Sequence, residues 1–465
     1  MGTTSQISNS NKWLQFLILL SAPTLTVIDV FIVNISIPSI KMSLNTSDAE
    51  VELVIASYLL GYASFMITGG RTGDFYGRKK VFMWGMLAFI LSSGICGMAL
   101  SPEVLIIARF FQGVSGAFMT PQALSNLQIL FPDAKERTKA VGYLGITLGA
   151  ASTLGQFFGG YFSSIETIVD GWRFIFFINF PIGLLALLAS RKYLVEIKIA
   201  SQQRFDFFGV ILVVLALSAF IFPLTEGREL GWPWWSFALI LLSFIVFYLF
   251  ISLQKRKMRL KEEPLINLQL FRIKSFNTGL MAAVFYFMMH TSYLLISTIY
   301  IQEGLHVNPY QTGVYFVAFG ISFMISSLLS IRLVHRFGKI PVQIGIILMI
   351  VCFFVQLHLF DETINQIRIY VVLFVTGFAG GLVLPSLINL SLKDIPNHFV
   401  GAASGVYNTS QQVASSLGIC IVGGVFFHYV AIDINFIKAF HVALYGEIVL
   451  LAFVFLLLTI PLGTK

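Results

Sequence analysis

Charge is what this sequence lacks most. Asp, Glu, Lys and Arg make up 11% of its 465 residues, against roughly 25% in an average soluble domain. A water-soluble fold of that length needs more polar surface to cover its cores. An ordinary soluble enzyme and a disordered chain are therefore excluded. Cysteine is scarce too. Cys96, Cys352 and Cys420 all sit in apolar stretches and form no CxxC pair, which excludes a disulfide scaffold and reads as small buried side chains. No GxxxxGK[ST] loop, HExxH or GxSxG occurs, and the 7 His (positions 290, 306, 335, 358, 398, 428 and 441) are scattered. ATP is then not an energy source, and an intramembrane enzyme has no metal or nucleophile constellation to work with. Neither a cofactor nor a metal is implied.

What is present is apolar. Hydrophobic residues make up 57%, with 46 Phe, and mean hydropathy is +0.85. About 20 apolar residues cross a bilayer core of about 30 Å as a helix. Fourteen such runs are read, at 13–37, 51–69, 81–100, 104–130, 140–163, 173–190, 207–225, 235–254, 276–301, 311–331, 340–359, 369–391, 399–428 and 440–462. The first is too long for a cleaved signal peptide, contains Asp29 and is followed by more spans. An even number of spans puts both termini on one side. Of the 30 Lys and Arg, 24 fall on that side and 5 (Lys41, Arg173, Arg228, Arg368, Lys438) on the other, with Arg109 inside a span. The positive-inside bias makes the termini cytoplasmic in a multi-pass protein of the cytoplasmic membrane. The net charge of +8 is thus a topology signal, and a nucleic-acid partner lacks the soluble basic face it needs.

The chain repeats itself. RTGDFYGRKK from Arg71 and RLVHRFGKIP from Arg332 align Gly77 with Gly338 at an offset of 261. GVSGAFMTP and GFAGGLVLP share Gly-x-x-Gly-x-x-x-x-Pro at 264, and Gly142 and Gly155 match Gly405 and Gly418 at 263. Spans one to six and nine to fourteen read as parallel copies of one six-helix unit. This predicts an all-α membrane fold: a bundle at 1–192, a linker with an extra hairpin at 193–274, and a second bundle at 275–465. Two parallel six-helix halves with a site between them is a transporter architecture.

GRTGDFYGRKKVF (Gly70–Phe82) resembles the loop-2/3 signature of the major facilitator superfamily, with Thr72 where the family has Leu. LIIARFFQGVSGA resembles its span-four signature, carrying Arg109, Gln112 and Gly113. GQFFGG resembles the end of the antiporter signature, keeping Gly142, Gly155, Gly159 and Gly160 as packing glycines, with Ala151 for a Gly and Gln156 for the Pro. VIDVFIVNISIP, GWRFIFFINFPIG and YIQEGLHVNPYQTG are similar to the 14-span drug:proton antiporter branch. The resemblance implies export of small amphipathic compounds or drugs in exchange for protons, by a monomer in contact with lipid. The alternative is proton-coupled movement of one specific metabolite. It also implies a conformational latch on the cytoplasmic side, where Asp74, set by Gly70 and Gly77 and followed by Arg78 and Lys79, meets the start of span thirteen. The second copy has His335 in place of Asp74.

Charges inside spans are the functional candidates. At about 1.5 Å per residue, Arg109 lies roughly 9 Å from the outer side and Asp29 roughly 24 Å along its own path. The two share a depth and are expected to pair; snorkelling of Arg109 to the interface is the alternative. A low dielectric disfavours charged Asp29 and a nearby Arg favours it. Motion that separates them would therefore move a proton, whereas a fixed pair would be structural. An offset of 261 from Asp29 reaches His290, which either faces the central cavity near Tyr286 and Tyr293 or is a buried neutral side chain. Asn34, Gln112, Asn408, Gln412 and Glu447 complete the expected cavity. Span thirteen lacks an acid, which argues against multivalent cations as cargo.

Overall fold

The computed structural model describes residues 9–165, 169–196, 206–260, 262, 264–360, 365–392, 394–395, 400–433 and 435–459. Among them there is no strand. The long helices are α1 (Asn9–Leu44), α2 (Asp48–Tyr76), α3 (Arg78–Gly97), α4 (Pro102–Leu130) and α5 (Ala134–Ser163). They continue as α6 (Gly171–Tyr193), α7 (Phe207–Glu229), α8 (Trp234–Arg259), α9 (Lys274–Gly304) and α10 (Pro309–Phe337). The last are α11 (Ile340–Leu359), α12 (Gln366–Leu392), α13 (Ala403–Ile432) and α14 (Phe436–Thr459). Helices are what hydrocarbon permits, since every backbone N–H and C=O must be satisfied within the segment.

Thirteen of the fourteen are long and apolar enough to cross a membrane. α5, thirty residues long, is the exception, because Gly, Ser, Thr and Gln dilute its apolar content. That composition suits a helix turned to its neighbours rather than to lipid. It runs unbroken through Gln156, which keeps the backbone N–H that a proline would lack. Helix starts follow local chemistry. Ser47 and Glu50 form a reciprocal capping box at α2, and Asn308 caps α10 ahead of Pro309 at its first turn.

The two halves pack alike. In the first, α1 packs on α4, α5 and α6, and α4 on α2 and α3. In the second, α9 packs on α12, α13 and α14, and α12 on α10 and α11. The halves meet through α5 on α10 and α2 on α13, while α7 lies against α2 with α8 outside it. Lys12 pairs with Glu136 at 2.8 Å, and Lys339 donates to the Leu458 carbonyl at 2.8 Å. These contacts tie the start of α1 and the end of α14 to helix ends of their own halves, at one end of the bundle.

The seam between α5 and α10 is uneven. A Cβ on Gly160 would stand 3.0 Å from Gly313 Cα, and one on Gly149 would stand 3.1 Å from Met324. One and two turns closer to the termini, Gly145 and Gly142 have nothing within 4 Å of that position. On this face α5 packs on α10 towards the far end and is bare over the turns nearer the termini. Gly155 and Gly159 seat α5 on α1, next to Phe31 and Ile35. Gly142, expected to pack, meets open space instead.

Candidate functional site

Asp29 on α1 and Arg109 on α4 form a direct ion pair, with both side chains essentially unexposed. Four helices complete it. Gln112, one turn after Arg109, accepts from Arg109 Nη1 at 2.8 Å and donates to Asp29 Oδ1 at 2.7 Å. Asn179 on α6 donates to the same Asp29 oxygen at 3.2 Å and to Ser93 Oγ of α3 at 2.9 Å. Arg109 Nε donates to the Val54 carbonyl of α2 at 3.3 Å, and its guanidinium lies 4.2 Å from the centre of the Tyr58 ring. Cys96 Sγ stands 3.6 Å from Gln112 Oε1. A buried ion pair survives only when the remaining donors and lone pairs are satisfied, and here amides, a carbonyl and an aromatic face do that.

The second half holds a neutral counterpart. Gln356 and Thr376 stand where Cys96 and Gln112 stand in the first half, with Tyr293 beside them. Tyr293 Oη donates to Gln356 Oε1 at 3.2 Å, and Gln356 Nε2 reaches Thr376 Oγ1 at 3.5 Å. Leu373, 264 residues after Arg109, is fully buried. Gly155 packs on Ile28 and Gly418 on Met288, so the position equivalent to Asp29 falls at Met289, next to His290, and carries no charge. The ion pair belongs to one half alone.

The expected cavity residues divide. Asn408 and Gln412 are partly exposed on one face of α13. His290 is 7% exposed and stacks on Tyr286 at 5.7 Å between Phe319 and Phe323. It is an aromatic-packed imidazole. Gln112 and Tyr293 belong to the bundle interiors, Asn34 is buried there with no partner for its amide among the described residues, and Glu447 is fully buried. Ser292 Oγ donates to Glu447 Oε1 at 2.7 Å. The residue missed from sequence is Asn179, whose only signal was its place in the GWRFIFFINFPIG motif.

In the loop-2/3 signature, Gly77 has φ +105°, and a Cβ there would run into the Glu196 carboxylate; only glycine fits. Gly70 lies in ordinary contact with Pro121. Arg78 donates to the Ser125 carbonyl at 2.7 Å, and Lys79 Nζ to the Arg191 and Leu194 carbonyls at 3.0 and 2.7 Å. These partners lie in the first half and, for Leu194 and Glu196, in the start of the linker that follows it. The side chains of Asp74 and His335, and residues 396–399 before α13, lie outside the described residues.

The model of the Major Facilitator Superfamily matches residues 19–206 and 200–419. The chain belongs to the major facilitator superfamily. It is 29% identical over 422 residues to a probable actinorhodin transporter of Streptomyces coelicolor, covering 90% of this chain and 73% of that one. It is 29% identical over 402 residues to the multidrug resistance protein Stp of Mycobacterium tuberculosis, covering 86% and 73%. It is 29% identical over 420 residues to a puromycin resistance protein of Streptomyces alboniger, covering 89% and 82%. Its fold matches a bacterial homologue of the lysosomal transporter Spinster in an inward-facing, unoccupied conformation, with TM-score 0.68, 15% identity and 97% coverage of both chains. The xylose transporter XylE of E. coli in a partially occluded inward-open conformation matches with TM-score 0.66, 14% identity and coverage of 96% and 97%. The protein is a multi-pass membrane transporter of small molecules and not an enzyme.

Proposed function

We propose that the protein exports small amphipathic compounds across the cytoplasmic membrane in exchange for protons, with both termini cytoplasmic. Asp29 carries the coupling proton and Arg109 sets its affinity. The observation behind this is the buried Asp29–Arg109 pair, held by neutral amides and present in one half only. An acid inside a span costs too much to keep without a role, and an acid that loses its guanidinium partner takes up a proton. The relatives named for actinorhodin, puromycin and multidrug resistance support export of drug-like cargo.

The moving units are the bundles 1–192 and 275–465, with 193–274 as linker and hairpin. Asn408 and Gln412 meet cargo in the cleft. The Asp74 loop, with Gly70, Gly77, Arg78 and Lys79, latches the cytoplasmic side when the cleft faces out. The pH gradient and membrane potential drive the cycle, the latter at about 2.3 kcal/mol per charge per 100 mV. The test is proton release on addition of an effluxed dye to purified protein, and dye export from cells with and without a protonophore. Asp29→Asn should abolish proton release and uphill export while leaving dye binding. Proton exchange at the wild-type ratio in Asp29→Asn, or export that survives the protonophore, would refute the reading.

A further inference from the structure

The α6 motif wraps the ion pair. Arg173 Nη1 donates to the Gly97 and Ala99 carbonyls at 3.1 and 2.6 Å, fixing α6 to the end of α3. The Phe176 carbonyl accepts from Ser93 Oγ at 2.9 Å, and the Phe176 ring lies 5.8 Å from the Arg109 guanidinium. Asn179, fully buried, gives its NH2 to Asp29 and Ser93. Its own carbonyl oxygen has no partner among the described residues.

That free oxygen matters when the carboxyl takes a proton. A carboxylate only accepts hydrogen bonds, whereas a carboxylic acid must also donate one. Gln112 Oε1 is held by Arg109 Nη1 and faces Cys96, so Gln112 cannot turn without abandoning the guanidinium. The Val54 carbonyl already takes Arg109 Nε. Asn179 is under no such constraint. A half-turn of its amide exchanges NH2 for C=O towards Asp29, and Ser93 can follow by swinging its hydroxyl proton from the Phe176 carbonyl to Asn179.

We propose that Asn179 is a positioning residue that follows the protonation of Asp29. It donates to the carboxylate, and after a half-turn it accepts from the acid. This rests on Asp29 being the proton carrier. The other titratable or charged groups facing the site are Arg109 from α4, Cys96 from α3 and Tyr58 from α2.

Asn179→Leu keeps the volume and removes both roles. Each form of the carboxyl then loses one hydrogen bond, so the pH profile of proton-driven export should stay near that of the wild type. A shift of about one unit towards alkali, the tenfold worth of one hydrogen bond lost from the charged form alone, would mean that the amide serves only as a donor, and the proposal falls. Infrared difference spectra of wild-type protein with 13C-labelled asparagine side chains, taken between acid and alkaline pH, need no variant to fold. An amide carbonyl band moving in step with a carboxylic acid band that Asp29→Asn removes supports the proposal. An Asp29 band that titrates beside a motionless amide overturns it. No titrating Asp29 band overturns the proton-carrier reading and this inference together.

Discussion

At the scale of single residues, the Asp29–Arg109 pair is a commitment that neither partner can leave alone. Removing one member strands a buried charge, which costs about 3–5 kcal/mol. Arg109→Ala should therefore lower the melting temperature sharply in detergent. The same change in an Asp29→Asn background should cost much less, because no carboxylate is left unpaired. Equal losses in the two backgrounds would show that the pair is not the source of the cost. In the Arg109→Ala protein that still folds, the pH optimum of export should move upward, since a positive neighbour of the carboxyl has gone. Glu447 differs in kind. It has a hydroxyl partner in Ser292 and no ion pair among the described residues. Glu447→Gln keeps that bond and should change stability by less than about 1 kcal/mol, read from the thermal melt.

At the scale of elements, the helices divide by what holds them. α5 is seated by small residues, so added bulk acts by geometry. Gly160→Val should prise α5 from α10 at their closed end. A spin-label pair across the seam should report a longer distance there, and Gly142→Ala should report none. The α7–α8 hairpin is held by charge. Asp206 at the start of α7 accepts from Lys257 at 2.8 Å, Gln254 at 2.9 Å, Gly209 N at 2.9 Å and Leu265 N at 3.2 Å. Burial pushes the Asp206 carboxyl up, and these donors pull it further down, so it is held below the usual carboxylate range. A depressed value stabilises the fold above the unfolded value of about 3.9 and is lost as pH falls through the folded value. The hairpin should thus stay docked through neutral and mildly acidic pH, whereas Asp206→Asn should loosen it at every pH. Protease sensitivity of the 260–266 linker, whose Pro264 carbonyl also takes Arg71 at 3.0 Å, measures this.

At the scale of the whole molecule, the bare face of α5 lies towards the end carrying the termini. A cysteine at Gly145, which is open and exposed, should react from the cytoplasm. Added cargo that turns the cleft outward should slow that reaction. For topology, Gly227 near the end of α7 is a poor label site because it is buried against Ser236. Leu230, 63% exposed, is a good one. Leu230→Cys should react with an impermeant thiol reagent from outside intact cells. Reaction only after permeabilisation would refute the proposed sidedness.

Hydropathy, charge placement and internal repetition are properties of a line, so the sequence alone determined the bilayer as solvent, the order of fourteen long helices, thirteen of them apolar enough to cross a membrane, and the doubled six-helix unit. Asp29 and Arg109 were legible as partners because depth along a helix is counted in residues. What surrounds a side chain depends on rotation about the helix axis and on contacts between distant segments, and neither is carried by local periodicity. Asn179 reaches Asp29 across 150 positions. Gln112 turned out to face the bundle interior rather than the cleft, and His290 to lie among aromatic rings in the other half. Only tertiary packing decided these. Repeat offsets drift by a few residues between loops and helices, and in a helix of 3.6 residues per turn a three-residue drift carries a side chain about 60° short of a full turn, enough to change its neighbours.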